Sequence, residues 1–185
     1  MKQKERHLDH SLLINKLSKK GKWVKARGYI IDWLKEKPSS HWLLTQLSET
    51  YYEEKNYKKA LAHIEDALKI APSCSLVLWD YASTLDMLER NAEALRVFLK
   101  LIHRGVRRIA YDECGEGVRW ARSLVNDCRY RVGLIYARIG DFELANKFLL
   151  EHLTNRSRNC PSIYGLRDVR KDLALIQNSK DPRTK

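Results

Sequence analysis

The side chains in this sequence that could do chemistry are four cysteines, six histidines and scattered carboxylates, in a chain of 185 residues. Cys114 stands among Asp112, Glu113 and Glu116, and with a histidine it could be drawn as a nucleophile beside its base. A thiol attacks as the thiolate, which needs a positioned base or a lowered pKa. Negative neighbours act the other way, so no catalytic residue is expected. A metal site drawn from Cys114, Cys128, His10 and His103 lacks the ligand spacing of zinc sites, and no metal or cofactor is expected. Gly115-Glu116-Gly117 has neither the further glycine nor the preceding strand of a phosphate-binding loop. The remaining chemistry is recognition by aromatic and charged side chains. Its geometry depends on the helices that carry them.

Composition narrows the classes. With 44% hydrophobic residues and four prolines, the sequence is expected to form one folded domain over residues 1–185. No apolar run approaches the ~18–20 residues of a membrane span. The N-terminal Met1-Lys2-Gln3-Lys4-Glu5-Arg6 has no apolar core after its charges, so no signal peptide is expected. Cys74, Cys114, Cys128 and Cys160 form no CxxC pair and no small disulfide framework. They read as reduced thiols of a cytoplasmic protein, in which the Asn155-Arg156-Ser157 sequon is idle. The net charge of +12 is uneven: residues 1–40 hold eleven Lys/Arg against four Asp/Glu, whereas residues 41–74 hold four against five. The excess sits at the ends, which argues against a continuous basic stripe.

The elements are helices. In His41 to Cys74, Leu44, Leu47 and Tyr51 mark one face of a first helix. Tyr57, Ala60, Ile64, Ala67 and Leu68 mark a second, and Pro72 stops it. Spacings of three and four place such residues on one side of a helix, and proline cannot continue one. This hairpin recurs. Ala26, Ala60 and Ala94 are 34 residues apart, and Ala145 follows after 51. Four residues later come Ile30, Ile64, Phe98 and Leu149; nine earlier come Leu17, Tyr51, Leu85 and Tyr136. Such a period marks a helical repeat solenoid.

On these residues the chain resembles the tetratricopeptide repeat (TPR) family. The register places repeats at 7–40, 41–74, 75–108 and 126–159. Residues 109–125 are then an insertion, from which a long helix runs from near Glu116 to Arg138 on the stripe Val118, Ala121, Val125, Cys128, Val132, Ile135 and Ile139. Asp112, Glu113 and Glu116 would favour the positive end of its dipole. Gly105 is expected to cap the third repeat, and Gly21 to supply a left-handed turn in the first. A helix over 162–177, opened by Pro161 and Ser162 and apolar at Ile163, Leu166, Leu173 and Ile176, is expected to cap the array. Residues 1–8 and 179–185 are expected to be frayed or disordered. The fold expected is all-α: a right-handed α-solenoid of four TPR-like hairpins plus a C-terminal capping helix.

The resemblance implies a non-enzymatic adaptor or scaffold that clasps a peptide or helix of a partner protein in a concave groove. Family inward positions fall on Trp42, Thr45, Gln46, Glu49, Tyr52 and Glu53, then on Trp79, Asp80, Ser83, Asp86 and Met87. The last repeat adds Asp127, Tyr130, Arg131, Leu134 and Arg138. Of these, Trp42, Glu49, Tyr52, Trp79, Asp80, Asp86, Asp127, Tyr130 and Arg131 make up the expected contact set. It is aromatic and acidic, suited to a basic or amphipathic segment. The carboxylate-holding positions of chaperone-binding TPR domains fall on Ser11, Asn15, Gln46, Leu76 and Asp80, where no cation is present. That function is not expected. The sequence leaves two alternatives. One is weak nucleic-acid binding through Lys19, Lys20, Lys22, Lys25 and Arg27 beside Trp23; the other is a structural or neutralising subunit of a larger complex.

Overall fold

The computed structural model describes residues 11–178, and the expectations for residues 1–8, His10 and 179–185 lie outside that range. Among the described residues all regular structure is helical. A helix over 11–18 (α1) is followed by α2 Trp23–Glu36, α3 His41–Glu53, α4 Tyr57–Ile70, α5 Ser75–Met87 and α6 Asn91–Ala110. Then come α7 Val118–Arg138, α8 Phe142–Ser157 and α9 Leu166–Asn178. Consecutive helices pair as hairpins, α3 with α4, α5 with α6, and α7 with α8. The chain packs as two compact units divided between Ser73 and Cys74, one residue before the expected boundary between the second and third repeats.

The alanine column is the register of each hairpin. Ala26, Ala60, Ala94 and Ala145 are fully buried, as are Ile30, Ile64, Phe98 and Leu149 one turn on. Twelve residues before three of these alanines stand Ser48, Ala82 and Gly133, so small residues recur on the first helix as well. The Ser48 hydroxyl donates to the Ala60 carbonyl at 2.8 Å. A Cβ on Gly133 would meet Leu149 at 2.9 Å. Close approach of the paired helices excludes larger side chains there.

The turns repeat as strictly. Gly21, Lys55, Glu89 and Gly140 all have left-handed backbone, with φ of 63°, 59°, 58° and 86°. In each turn the following amide, of Lys22, Asn56, Arg90 or Asp141, donates back to the carbonyl of Leu17, Tyr51, Leu85 or Tyr136 at 2.8–3.0 Å. This is the wrapped-back bond of a Schellman ending. An L residue in this region costs about 1–2 kcal/mol, which glycine avoids, at some loss of chain entropy. Lys55→Gly and Glu89→Gly are therefore expected to stabilise their hairpins by about 0.5–1 kcal/mol each. Urea unfolding curves check this, and a destabilised variant would show that the side chain outweighs the strain.

In the first unit, Ile14, Ile30, Trp33, Leu43 and Leu47 form one core, with Trp42 packed edge-on to Trp33 at 5.9 Å. Arg27 ties α2 to α3: its guanidinium donates to the Thr50 hydroxyl and carbonyl at 3.2 Å, pairs with Glu54, and stacks over Tyr51 at 3.9 Å.

In the second unit Gly105 ends the first run of α6 as expected, with non-helical backbone at φ 77° and ψ 161°, and a further short helical run beyond the kink reaches Ala110. Two other expectations are corrected. α7 starts at Val118, because Gly117 at φ 88° is the residue before the helix. Asp112 serves α5 rather than α7: its carboxylate accepts the Ser75 amide at 3.0 Å, beside Arg104 at 3.7 Å. The loop reaches α6 closely enough that a Cβ on Gly115 would lie 2.5 Å from the Ala110 carbonyl oxygen.

The last helix also begins later than expected. Ser162 accepts the Tyr164 amide in a tight turn at 3.0 Å, and helical bonding starts with Asp168 and Val169 onto the Gly165 carbonyl. Ile163 is 72% exposed, and the buried face is Val169, Leu173 and Ile176. That face closes against Tyr130, Ala145 and Leu149 of the last hairpin.

Candidate partner-binding surfaces

The expected contact residues separate by unit and by how far the fold itself engages them. On α3, Trp42, Glu49 and Tyr52 are half-buried at spacings of seven and three, a helical face. Thr45, expected beside them, is instead fully buried and donates to the His41 carbonyl at 2.8 Å. Tyr52 meets Tyr57 edge-on at 5.3 Å. Burial, and then the neighbouring Glu53 carboxylate, push the Glu49 carboxyl above its ordinary value, and a hydrogen bond with Gln46 only partly opposes them. Desolvation disfavours the charged form, and a like charge adds to the effect.

On α5, Trp79 and Asp80 are half-buried, and Trp79 packs edge-on to Phe98 at 5.5 Å. Asp86 is in a different state. It is 4% exposed, with Arg131 at 2.6 Å on one carboxylate oxygen and Arg138 at 2.8 Å on the other. Arg138 also donates to Asn91 at 2.8 Å, and the Arg131 plane lies 6.0 Å over Phe98. Asp86 and Arg131, both in the expected contact set, thus form with Arg138 an internal cluster tying α5 to α7.

Asp127 and Tyr130 of α7 are buried as well. Asp127 accepts from the Ser123 hydroxyl at 3.3 Å and the Ile163 amide at 3.2 Å. Burial pushes its carboxyl up, with Ser162, Ile163 and Ser123 pulling the other way. Tyr130 donates to Asp172 of α9 at 2.6 Å and stacks obliquely on Tyr164 at 4.3 Å. Burial and then Asp172 push the phenol up. Asp127 and Tyr130 of α7 are thus engaged by the chain's own C-terminal segment.

The other candidates resolve similarly. The Cys114 thiol is pushed far up, first by hydrogen bonding to the Cys74 thiol, then by burial, then by Cys74, Asp112 and Glu113 as charges. Cys128 is fully buried, and desolvation raises it too. His152, also fully buried, takes the Asn126 carbonyl on Nδ1 at 2.9 Å, and burial lowers its pKa. Lys19, Lys20, Lys22 and Lys25 are exposed, whereas Arg27 is engaged with Thr50 and Glu54. Trp33 is core.

One feature was missed in the sequence: a cavity lined by Arg122, Arg129 and Arg158 near the junction of α6, α7 and α8. Its signal was the spacing of Arg122 and Arg129, seven residues apart and so on one helix face. Charge counting by segment hides it: residues 75–125 hold eight Lys/Arg against seven Asp/Glu and residues 126–159 six against four, so acids elsewhere offset these arginines.

The tetratricopeptide repeat profile matches residues 43–74. No curated protein matches the sequence. Among solved structures, a MamA RS-1 double mutant is similar at a TM-score of 0.68 and 12% identity, covering 95% of this chain and 85% of that one. PilW, described as a widely conserved type IV pilus biogenesis factor, is similar at 0.62 and 22% identity, over 80% of this chain and 60% of its own. YrrB, described as a TPR protein with an unusual peptide-binding site, is similar at 0.51 and 17% identity, over 92% and 90%. At these identities the likeness is one of fold. Residues 43–74 match a tetratricopeptide repeat, and the chain folds as TPR-like helical hairpins.

Proposed function

We propose that this protein is a non-enzymatic interaction module that holds a segment of a partner protein against the first helices of its hairpins. Trp42, Glu49 and Tyr52 are the contacts offered by the first unit, and Trp79 and Asp80 those offered by the second. The fold class supports partner binding in general. The observation that carries the chemistry is Glu49, a half-buried carboxylate whose charged form is disfavoured by burial and by Glu53. A lysine or arginine beside an apolar anchor would supply the missing counter-charge and use the aromatic neighbours. Asp86, Asp127, Tyr130 and Arg131 drop out of the contact set, because ion pairs and the C-terminal segment over 163–178 already engage them.

The test joins stability to affinity. A raised carboxyl pKa means the folded chain holds the proton more readily than the unfolded one, so the charged group destabilises as pH rises through the folded value. Glu49→Gln is expected to raise the thermal midpoint at pH 7. It should also weaken a basic partner peptide, once captured and identified, by about three- to tenfold, or about 0.6–1.4 kcal/mol. Lys58→Glu, at an exposed position of α4, should leave affinity unchanged. If Lys58→Glu weakens the complex and Glu49→Gln does not, the contact face is wrong. Binding of duplex DNA that survives physiological salt would instead favour the exposed lysines around Gly21.

A further inference from the structure

We propose that the cavity lined by Arg122, Arg129 and Arg158 binds a small organic phosphate. It lies within the second unit and has a volume of about 340 Å³. Val106 of α6 and Val125 of α7 give it apolar wall, and Asn155 of α8 gives it a polar one. This site shares no residue with the proposed contact faces.

The arginines divide into a fixed one and two available ones. Arg129 is held by Glu151 at 3.2 Å and by the Val125 carbonyl at 3.2 Å. Arg122 and Arg158 are exposed, and neither guanidinium has an acidic partner within 4 Å among the described residues. Arg156 stands next to the cavity, donating to the Cys160 carbonyl at 3.0 Å, and its buried Nε has no partner. The acids nearby are Glu151, already paired with Arg129, and the buried Asp127, which acts on the Cys160 thiol against Arg122, Arg156 and Arg129. Four guanidiniums against two carboxylates leave two positive charges uncompensated.

A phosphate monoester carries close to two negative charges at neutral pH and three acceptor oxygens, which matches that excess; a single carboxylate does not. Guanidinium forks suit its geometry, and their planes can also stack on a ring. The volume exceeds that of a bare oxyanion and lies at the small end of ligand pockets. With Val106 and Val125 in the wall, the phosphate therefore carries an organic body. The charge is gathered in a cavity rather than spread along a track, which favours a small molecule over a nucleic acid.

Titration calorimetry with AMP, glucose 6-phosphate, inorganic phosphate and citrate tests the site, on the full chain and on an Arg122→Ala, Arg158→Ala double variant. Both positions are exposed, so the variant should keep the parent's thermal midpoint. The expected result is saturable binding of one ester per chain, tighter than inorganic phosphate or citrate. The double variant should bind at least tenfold more weakly, and Lys58→Glu should bind like the parent. AMP as the tighter ester would point to a nucleotide, and glucose 6-phosphate to a sugar phosphate. The proposal is overturned if neither ester saturates, if the double variant binds unchanged, or if citrate binds as tightly as the esters. A single-stranded oligonucleotide that binds where the esters do not would overturn it in favour of a nucleic-acid surface.

Discussion

Asp86→Ala is expected to destabilise the second unit by about 3–5 kcal/mol, because it removes one member of a buried charge cluster and strands the others. Asp86 is 4% exposed and meets Arg131 and Arg138 through separate carboxylate oxygens, at 2.6 and 2.8 Å. Arg131 has little solvent to replace the lost carboxylate, with its side chain 12% exposed; Arg138, at 39%, can recover hydration. The cost should therefore fall mainly on Arg131. A cycle with Arg131→Met separates the pair from the stranded charge: the double variant should be more stable than Asp86→Ala alone, since no buried cation is left. Urea unfolding followed by circular dichroism gives all the values. A loss below about 1 kcal/mol for Asp86→Ala would mean the cluster is solvated and the surface still available to a partner.

The repeat register was legible because it rests on local geometry. Ala60, Ile64 and Tyr51 sit where the hairpin must close, and the same closure recurs 34 residues away at Ala94, Phe98 and Leu85. The left-handed turn position was legible at Gly21, where the residue type advertises it, and glycine stands at the same place at Gly140. It was hidden at Lys55 and Glu89, where the wrapped-back hydrogen bond overrides an unfavourable residue.

The candidate site was less legible, for a physical reason. Helical register says which face Asp86 and Tyr130 share, but not what another element brings to that face. Arg131 and Arg138 come from 45 or more residues downstream, and Asp172 from α9, 42 residues beyond Tyr130. Asp112 shows the same limit: beside α7 in sequence, it caps the start of α5. Long-range pairing converts an apparent binding surface into internal structure, and neither periodicity nor a charge count records it.

Removing residues 160–185 is expected to have the other large effect: the truncated chain should aggregate, or lose at least about 10 °C in thermal midpoint. A terminal repeat leaves an apolar face that its neighbour would cover, and here α9 covers it. Val169, Leu173 and Ile176 bury against Tyr130, Ala145 and Leu149, with Leu134, Phe142, Leu153 and Tyr164 packed around them. Without α9 this becomes a contiguous apolar patch, the kind of surface that drives association. Two buried polar groups would also lose partners, the Tyr130 hydroxyl its Asp172 and the Asp127 carboxylate its Ile163 amide. Because truncation could fail for reasons of expression, Leu173→Ala serves as the graded form. It keeps the helix and deletes a side chain that is 9% exposed, at an expected cost of about 2–3 kcal/mol. Sedimentation and thermal melts read both variants. A truncated chain that stays monomeric with an unchanged midpoint would show that α9 is not needed as a cap. The helix would then be detachable, and the face it covers, with Tyr130 at its centre, would return to the set of surfaces on which a partner could dock.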